Sequence, residues 1–188
     1  MNVFDFDGTI YDGDSILDFY FYCIKKHPAI LCCVPSQLLG AIRYQWKQID
    51  KVRFKESFYC FFKKIPDIIP ETKKFWDDNE RKIGEWYKTI YHSNDVVISA
   101  SPDFLIREMC NRLNIGTIIA SRVNPINGEY DGLNCYGEEK VRRFYEIFPN
   151  GIIDRFYSDS ESDIPLARIA KECYLVKNQK IQKWIIEK

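Results

Sequence analysis

Short β-branched or apolar runs alternate with amphipathic segments from residue 95 onward, and this alternation constrains the fold more than any other feature of the chain. The predicted strands are 2–6, 95–99, 116–121, 152–157 and 173–176. The helices predicted between the later strands are 101–113, 138–148 and 161–171. Strands that alternate with helices indicate a parallel sheet with helices on both faces. We therefore predict an α/β protein with a Rossmann-like core.

The alternation is interrupted once, by a helix-rich region directly after the first strand. Aromatic and aliphatic residues recur there at intervals of three and four positions, which is typical of amphipathic helices. They are Phe58, Phe61, Phe62 and Ile65, and then Ile83, Trp86, Tyr87 and Ile90. A chain of 188 residues is long enough for one core domain and a small insertion. We predict a core domain of residues 1–12 and 92–188, with a helical cap domain, residues 13–91, inserted over the strand ends.

Local signals predict where several smaller elements begin. Asp14 before Ser15 is typical of a helix N-cap. Ser101 and Pro102 are interpreted as the N-cap and first residue of the next helix. Asn127-Gly128, within 123–131, indicates a hairpin. Residues 180–187 are predicted to form a terminal helix.

Composition and charge argue against several classes of protein. The chain has 27 basic and 27 acidic residues, so no overall field favours nucleic acid, and no nucleic-acid partner is predicted. Its seven cysteines are odd in number and include no CxxC pair, which argues against a disulfide framework and a zinc site. No apolar run is long enough to span a bilayer or typical of a signal peptide. We expect a soluble, cytoplasmic protein with buried, reduced cysteines, and the oligomeric state stays open.

Polar side chains suited to catalysis lie where the predicted strands end. They are Asp5, Asp7, Ser99, Lys140, Asp159 and Asp163. Ligands in such sheets bind outside the carboxyl ends of the strands. Three carboxylates brought together there would repel one another, so the cluster needs a cation. An all-oxygen site of this kind suits Mg²⁺.

This set of residues suits phosphoryl transfer. A carboxylate such as Asp5 can attack phosphorus and form an aspartyl-phosphate. Asp7, two residues away, can protonate the leaving oxygen and then deprotonate the hydrolytic water. Ser99 and nearby backbone amides can hold phosphate oxygens, while Lys140 can neutralise their charge.

The order and spacing of these residues resemble the haloacid dehalogenase superfamily. Asp5-Phe6-Asp7-Gly8-Thr9-Ile10 resembles its first signature, DxDGT, and Val96-Val97-Ile98-Ser99 resembles its second motif. Lys140 resembles the third, and Ser158-Asp159-Ser160-Glu161-Ser162-Asp163 the acidic fourth. The sequence is most similar to the phosphoserine-phosphatase-like branch, which places a helical cap between the first two motifs. The resemblance implies the fold of that superfamily, its hydrolase activity and a Mg²⁺ cofactor.

The resemblance also implies roles for individual residues. Asp5 would be the nucleophile and Asp7 the acid and base, while Ser99, Ala100 and Lys140 would bind the phosphoryl group. The metal ligands would be Asp5, the main-chain carbonyl of Asp7, Asp159 and, through its water shell, Asp163. Asp14 stands where phosphoserine phosphatases carry a substrate-binding glutamate, so it is a candidate for substrate contact as well as a cap. Two further departures from that branch are Ser99-Ala100-Ser101 for a Ser-Gly-Gly-like turn and Ser158 for a glycine.

We predict a Mg²⁺-dependent phosphomonoester phosphatase that acts on a small phosphorylated metabolite. Residues 19–66 contain nine basic residues and two acidic ones, which leaves open a solvated helix face, a site for an anionic metabolite or peripheral contact with anionic lipid headgroups. A phosphatase of a lipid phosphate at the membrane surface is therefore an alternative. A short resemblance to bacterial phosphatidylglycerophosphate phosphatases, at 157–160 and 163–166, favours the same alternative. A phosphotransferase and a catalytically silent binding or regulatory protein also stay open.

Overall fold

A six-stranded, mostly parallel sheet organises the chain. The computed structural model describes residues 1–186. Its strands are β1 Asn2–Phe4, β2 Val96–Pro102, β3 Thr117–Ser121, β4 Arg155–Ser158, β5 Glu172–Lys177 and β6 Lys180–Lys183. Their order across the sheet is β3-β2-β1-β4-β5-β6, and only β6 is antiparallel to its neighbour. This confirms the predicted α/β fold with a parallel sheet.

The first strand lies in the middle of the sheet. Phe4 is paired with Val97 of β2 on one side and with Tyr157 of β4 on the other. Both faces of such a strand are covered, which explains its apolar sequence. The next residue, Asp5, continues this line, because its amide donates to the Tyr157 carbonyl at 2.9 Å. The chain therefore delivers Asp5 to the carboxyl edge at the centre of the sheet.

Five helices lie between β1 and β2, within residues 13–91, which we call the helical insertion. They are α1 Ser15–Lys26, α2 Val34–Gln45, α3 Lys51–Tyr59, α4 Ile68–Asn79 and α5 Glu85–Ile90. The later helices are α6 Asp103–Arg112, α7 Glu138–Ile147 and α8 Ile164–Ile169. Short 3₁₀ turns occur at 28–33, 60–64, 80–82 and 161–163. No helix within residues 1–186 combines the length and the apolar composition needed to cross a membrane.

Two apolar clusters cover the two faces of the sheet. On one face, buried aromatic side chains join the sheet to the helical insertion: Trp76 packs edge-on against Phe6 and Tyr11. The Trp76 indole also donates to the Leu105 carbonyl of α6 at 2.7 Å. On the other face, Phe144 of α7 and Leu166 of α8 are fully buried. The insertion is therefore packed into the same core as the sheet.

The C-terminal segment differs from the prediction. Lys180–Lys183 form β6, antiparallel to β5, rather than a helix; Glu187 lies outside the described residues. Asn178 and Gln179 both have positive φ angles, of 49° and 61°. Two consecutive residues of this kind make a tight hairpin turn whose twist matches the flanking strands. This turn reverses the chain and returns it along β5.

Several element boundaries also differ. The strand β2 continues to Pro102, so α6 begins at Asp103 and Ser101 is not its N-cap. The predicted helix at 161–171 is a 3₁₀ turn followed by α8, and the predicted strand from 152 begins at Arg155. The regular spacing of 58–65 spans the end of α3 and a 3₁₀ turn rather than one helix. The predicted hairpin at 123–131 is reduced to a single bridge between Val123 and Tyr130.

No disulfide joins the cysteines within residues 1–186, but not all of these residues are buried. Cys23, Cys33, Cys110, Cys135 and Cys173 are buried, as predicted, whereas Cys32 is exposed and Cys60 is half-buried. The prediction of buried thiols is therefore wrong for these two residues. Both lie in 3₁₀ turns of the helical insertion, where a periodic apolar pattern does not define a buried face.

Candidate active site

The carboxyl ends of β1, β2 and β4 open into one cleft of about 310 Å³. All eight residues predicted for the site line it: Asp5, Asp7, Asp14, Ser99, Ala100, Lys140, Asp159 and Asp163. Seven of them come from the ends of neighbouring strands or from the segments that follow, and Lys140 lies on α7. Parallel strands deliver such residues to a common edge. The structure thus brings together residues that are up to 158 positions apart in the chain.

A buried lysine lies between two carboxylates at the bottom of the cleft. The Lys140 Nζ atom is 2.8 Å from both Asp5 Oδ1 and Asp163 Oδ2. The pKa of Asp5 is raised to about 8, because burial and the nearby Asp163 raise it more than Lys140 lowers it. Burial acts to lower the pKa of Lys140, but the two carboxylates raise it above its usual range, so Lys140 stays protonated. This ion pair network holds Asp5 in one position.

Ser158 supports the same network. Its hydroxyl donates to Asp163 Oδ2 at 2.8 Å, and both residues are buried. The other oxygen of that carboxylate, Oδ1, is buried without a hydrogen-bond partner within residues 1–186. The serine that replaces the expected glycine before the fourth motif therefore helps to orient Asp163, and one carboxylate oxygen is left for another donor or cation.

Asp7 is held by two hydrogen bonds from different elements. The Ser15 amide, at the start of α1, donates to its Oδ1 at 2.7 Å, and the Ser101 hydroxyl donates to its Oδ2. The pKa of Asp7 is raised to about 6, because burial and the nearby Asp14 raise it more than the hydrogen bonds from Ser101 and Ser15 lower it. A pKa in this range is suited to both giving and accepting a proton near neutral pH.

Ser101 is a site residue that the sequence did not reveal. The pair Ser101-Pro102 is typical of a helix start, but here β2 extends to Pro102 and turns the Ser101 side chain toward Asp7. The Ser101 amide donates to Ser99 Oγ at 3.1 Å. The available signal was the departure at 99–101 from a glycine-rich turn. The Ser101 hydroxyl contacts the carboxylate of Asp7.

The backbone at Gly8 leaves no room for a side chain. Its φ angle is +68°, which favours glycine, and a Cβ atom built on it would lie 2.3 Å from Asp159 Oδ2. The Asp159 carboxylate therefore lies directly against the loop that carries Asp5 and Asp7. Burial raises the pKa of Asp159. Three acidic side chains thus meet around one short loop.

The donors available to a metal ion are all oxygen atoms. They are the carboxylates of Asp5 and Asp159, the backbone carbonyl of Asp7 and the unpaired oxygen of Asp163. Within residues 1–186, no three His, Cys, Asp or Glu side chains lie close enough to hold a metal ion by themselves. Mg²⁺ does not require such a group, because it binds through one or two carboxylates and completes its shell with waters and phosphate oxygens. The donor set fits Mg²⁺.

Two lysines of the helical insertion also line the cleft, and the sequence did not assign them to the site. Lys55 Nζ donates to the Ala100 carbonyl at 2.9 Å and to Asn134 Oδ1 at 3.2 Å. Lys51 Nζ lies 3.3 Å from the centre of the Tyr136 ring. Neither forms an ion pair with any residue that the structure describes. Burial, together with Lys51, lowers the pKa of Lys55 to about 8.

The position of these lysines follows from helical geometry. Residues 51 and 55 are four apart on α3, so they lie on the same face of the helix. The sequence showed their spacing but not which face is turned to the cleft. Of the three readings left open for the basic stretch, a site for an anionic metabolite is the one that the position of Lys51 and Lys55 favours.

Asp14 is exposed and acts as the N-cap of α1, as its sequence context predicts. Its Oδ1 accepts hydrogen bonds from the amides of Ile16 and Leu17, both at 3.1 Å. The same side chain lines the cleft. Its contact with substrate stays a prediction.

Residues 3–168 match the family of haloacid dehalogenase-like hydrolases. The match spans most of the chain, including every candidate residue described above. The chain belongs to this hydrolase family, which confirms the family inferred from the four motifs. No curated protein matches the chain.

Solved structures share the fold at low sequence identity. A protein of unknown function from Bordetella pertussis Tohama I is 17% identical, with 92% of this chain and 87% of that chain covered and a TM-score of 0.69. A phosphoserine phosphohydrolase-like protein from Francisella tularensis SCHU S4 is also 17% identical, with 92% and 86% covered and a TM-score of 0.54. A phospho-aspartyl intermediate analogue of phosphoserine phosphatase is 18% identical, with 91% and 83% covered and a TM-score of 0.51. The fold is therefore that of the phosphoserine-phosphatase-like branch.

Proposed function

We propose that this hydrolase is a Mg²⁺-dependent phosphomonoester phosphatase with Asp5 as its nucleophile. The observation that carries the proposal is the position of the Asp5 carboxylate. It lies at the centre of the sheet edge, fixed 2.8 Å from buried Lys140, with Asp7 beside it in the same cleft. A fixed carboxylate next to a group with a pKa of about 6 suits a two-step phosphoryl transfer.

In the first step, a carboxylate oxygen of Asp5 forms a bond to phosphorus while the bond from phosphorus to the ester oxygen breaks. Asp7 gives its proton to the departing alcohol. In the second step, Asp7 accepts a proton from a water molecule that attacks phosphorus. The phosphorus bond to Asp5 breaks and inorganic phosphate leaves. One residue thus serves as acid and then as base.

The remaining residues of the cleft would hold the phosphoryl group. Ser99 and Ala100 of β2 line the cleft, and we expect the Ser99 hydroxyl and the Ala100 amide to bind phosphate oxygens. Lys140 would lower the negative charge that develops as Asp5 attacks. Ser101 and Ser15 keep Asp7 oriented through the hydrogen bonds described above.

Mg²⁺ would be held by Asp5, Asp159 and the backbone carbonyl of Asp7, with Asp163 supporting its water shell. When bound, it would neutralise charge on the phosphate and favour the ionised form of Asp5. This agrees with the raised pKa of Asp5, because a carboxylate with a pKa of about 8 needs a nearby cation to attack efficiently at neutral pH.

We infer that the substrate is a small phosphate ester with a further negative charge. Lys51 and Lys55 line the cleft with no acidic partner among residues 1–186. A volume of about 310 Å³ lies at the lower end of the roughly 300–1,000 Å³ that ligand pockets occupy. Neighbouring structures are described as phosphoserine phosphatases, and phosphoserine is one ester of this kind. The lack of a disulfide among the described cysteines is in keeping with a cytoplasmic enzyme.

A lipid phosphate is the second candidate substrate, because exposed apolar residues cover the outer side of the insertion. A panel of phosphoserine, sugar phosphates, nucleotides and a short-chain lipid phosphate tests both candidates.

The same panel tests the metal requirement. We expect phosphate release with Mg²⁺, none in EDTA, and inhibition by Ca²⁺, which prefers more ligands at longer distances. Full activity in EDTA would contradict the proposed requirement for Mg²⁺. Transfer of phosphate to an added alcohol in place of water would favour a phosphotransferase, and a folded protein inactive on every ester would favour a silent binding protein.

A further inference from the structure

Helix α2 is turned the opposite way from an ordinary surface helix. Amphipathic helices normally bury their apolar stripe against the core. The only buried residue of α2 is Gly40. A Cβ atom at Gly40 would lie 2.6 Å from the Cβ of Ser57, so the helix lies close against α3 at this point. Tyr44 stacks on Phe54 and Gln37 donates to the Phe58 carbonyl on the inner side, whereas the leucines and Ile42 of α2 are exposed.

Those outward side chains form a continuous apolar stripe, which we call the outer face. Its members are Leu31, Pro35, Leu38, Leu39, Ile42 and Trp46. Leu31 lies in the 3₁₀ turn that precedes α2, and the others recur mostly at intervals of three and four residues, so they share one side of the helix. Leu38 is 60% exposed, Leu39 56% and Trp46 71%. Apolar residues scattered singly on a surface are ordinary, but a contiguous stripe indicates an interaction site.

The end of the outer face is held in place by the backbone. Lys47 has a φ angle of 57°, its amide donates to the Tyr44 carbonyl at 2.9 Å, and the Gln48 amide donates to the Arg43 carbonyl at 2.8 Å. This pair of bonds is a Schellman motif, which terminates the helix at a defined point. Trp46, at the last turn, therefore has a fixed backbone beside two exposed cations.

The outer face itself carries no acidic residue. Residues 19–49 contain four basic residues and no acidic one, and the nearest acidic residue in the sequence, Asp50, follows at the start of α3. Two of the cations, Arg43 and Lys47, are exposed on α2 and at its end, and neither forms an ion pair with a residue that the structure describes. An exposed apolar stripe with unpaired cations beside it is the pattern of helices that lie in the interface of an anionic membrane.

We propose that the outer face of α2 docks onto an anionic lipid bilayer. Leu38, Leu39 and Ile42 would enter the boundary between headgroups and acyl chains, and Trp46 would lie at headgroup level. Arg43 and Lys47 would contact anionic headgroups. The docking does not depend on the proposed function, because the outer face is separate from the cleft residues.

Self-association through the same surface is disfavoured by charge. A symmetric dimer places the same patch on both subunits, so residues of one outer face meet the outer face of the other. Arg43 and Lys47 would then approach a surface with no acidic residue between positions 19 and 49. A bilayer that contains anionic lipid supplies the opposite charge and the apolar interior together.

Co-sedimentation of the full chain with vesicles tests the proposal. Vesicles of equal parts phosphatidylglycerol and phosphatidylcholine should bind the protein, high salt should weaken binding, and pure phosphatidylcholine should bind much less. Arg43→Gln with Lys47→Gln should reduce partitioning, by about fivefold for each cation removed. Lys180→Gln with Lys183→Gln, on exposed positions of β6, is the matched control and should bind as the parent does.

The apolar contribution is tested separately. Leu38→Gln with Leu39→Gln should reduce vesicle binding at least tenfold, whereas Leu133→Gln with Ile152→Gln, equally exposed elsewhere, should not. Both variants should hydrolyse nitrophenyl phosphate as the parent does, so the result is independent of the proposed catalysis. The proposal is overturned if the parent does not bind anionic vesicles at low salt. It is overturned as well if the Leu38 and Leu39 variant and the Leu133 and Ile152 variant lose binding equally. It is also overturned if Leu38→Gln with Leu39→Gln abolishes a dimer seen in sedimentation velocity and leaves vesicle binding unchanged.

Discussion

The floor and the wall of the cleft balance their charges in different ways. The floor consists of Asp5, Asp7, Lys140, Asp159 and Asp163, and there a buried cation lies 2.8 Å from each of two carboxylates. The wall consists of Lys51 and Lys55, which contact a tyrosine ring, a carbonyl and an amide oxygen rather than a carboxylate. The floor is thus arranged before any substrate arrives, and the wall has positive charge that an anionic substrate would neutralise. This difference separates the chemistry of the site from its specificity.

The largest effect is expected from Asp5→Asn in the floor. An amide cannot attack phosphorus, so turnover should fall by about 10,000-fold or more, as when other enzymes lose their nucleophile. Phosphate release and thermal unfolding should be measured on the same sample. Asp12→Asn, at an exposed neighbouring position, is the control and should keep its activity. Substantial turnover by a folded Asp5→Asn protein would exclude Asp5 as the nucleophile.

The free energy of unfolding of a Lys140 variant tests whether the buried cation balances the carboxylates of the floor. Lys140→Met leaves Asp5 and Asp163 buried without their cation, and loss of one partner of a buried ion pair costs about 3–5 kcal/mol of unfolding free energy. Lys171→Met is the matched control, because Lys171 pairs with Asp154 at the exposed surface, where such a pair contributes about 0–1 kcal/mol. Urea denaturation measures both. Equal losses in the two variants would show that the floor does not depend on its buried cation.

Asp7→Asn should slow both chemical steps by about 100-fold or more, because it removes the proposed acid and base. The first step should recover partly with nitrophenyl phosphate, whose leaving group needs little protonation, while hydrolysis of the intermediate should stay slow. Single-turnover measurements with nitrophenyl and alkyl phosphates separate the two steps. The same loss of phosphorylation rate for both esters would argue against an acid at Asp7.

The wall should affect binding more than chemistry. Lys55→Met should raise KM about tenfold for an ester with a second negative charge, and change kcat little, because a lost charge-assisted hydrogen bond costs about 1.5–3 kcal/mol. Lys64→Met, exposed in the same insertion, is the control. A fall in kcat with an unchanged KM would show that Lys55 acts in the chemical step rather than in substrate binding.

The pH dependence of KM gives a smaller, more specific test of the wall. The pKa of Lys55 is lowered to about 8, so its charge is present below that pH and is lost as pH rises through it. KM for the phosphate ester that has the further anionic group should therefore rise above pH 8. Lys55→Arg should remove this rise, because an arginine stays protonated. A rise of the same size in the variant would show that another group titrates.

The floor was predictable from the sequence, and the wall was not. Asp5, Asp7, Asp159 and Asp163 follow apolar strand signals, and parallel strands bring their ends together whatever the details of packing. Lys51 and Lys55 lie on a helix whose orientation depends on tertiary contacts. A charge count over residues 19–66 cannot distinguish a cation in the cleft from one in solvent.

Other differences have the same origin in tertiary structure. Ser101 precedes a proline, so local rules favour a helix start, yet pairing with β3 extends β2 past it. Lys180–Lys183 form a strand because Asn178 and Gln179 adopt positive φ angles that their sequence allows but does not require. The outer face of α2 is exposed because Gly40 lies against Ser57, a contact between helices that no local pattern specifies.

The central claim is that Asp5 carries the phosphoryl group, and one measurement tests it most directly. The enzyme is mixed rapidly with radiolabelled phosphate ester and Mg²⁺, quenched in acid, digested, and the labelled peptide is located by mass spectrometry. We expect the label on Asp5, a longer-lived label in Asp7→Asn, and none in Asp5→Asn. Turnover by the parent with no label on any peptide, or with the label on another residue, would contradict the account.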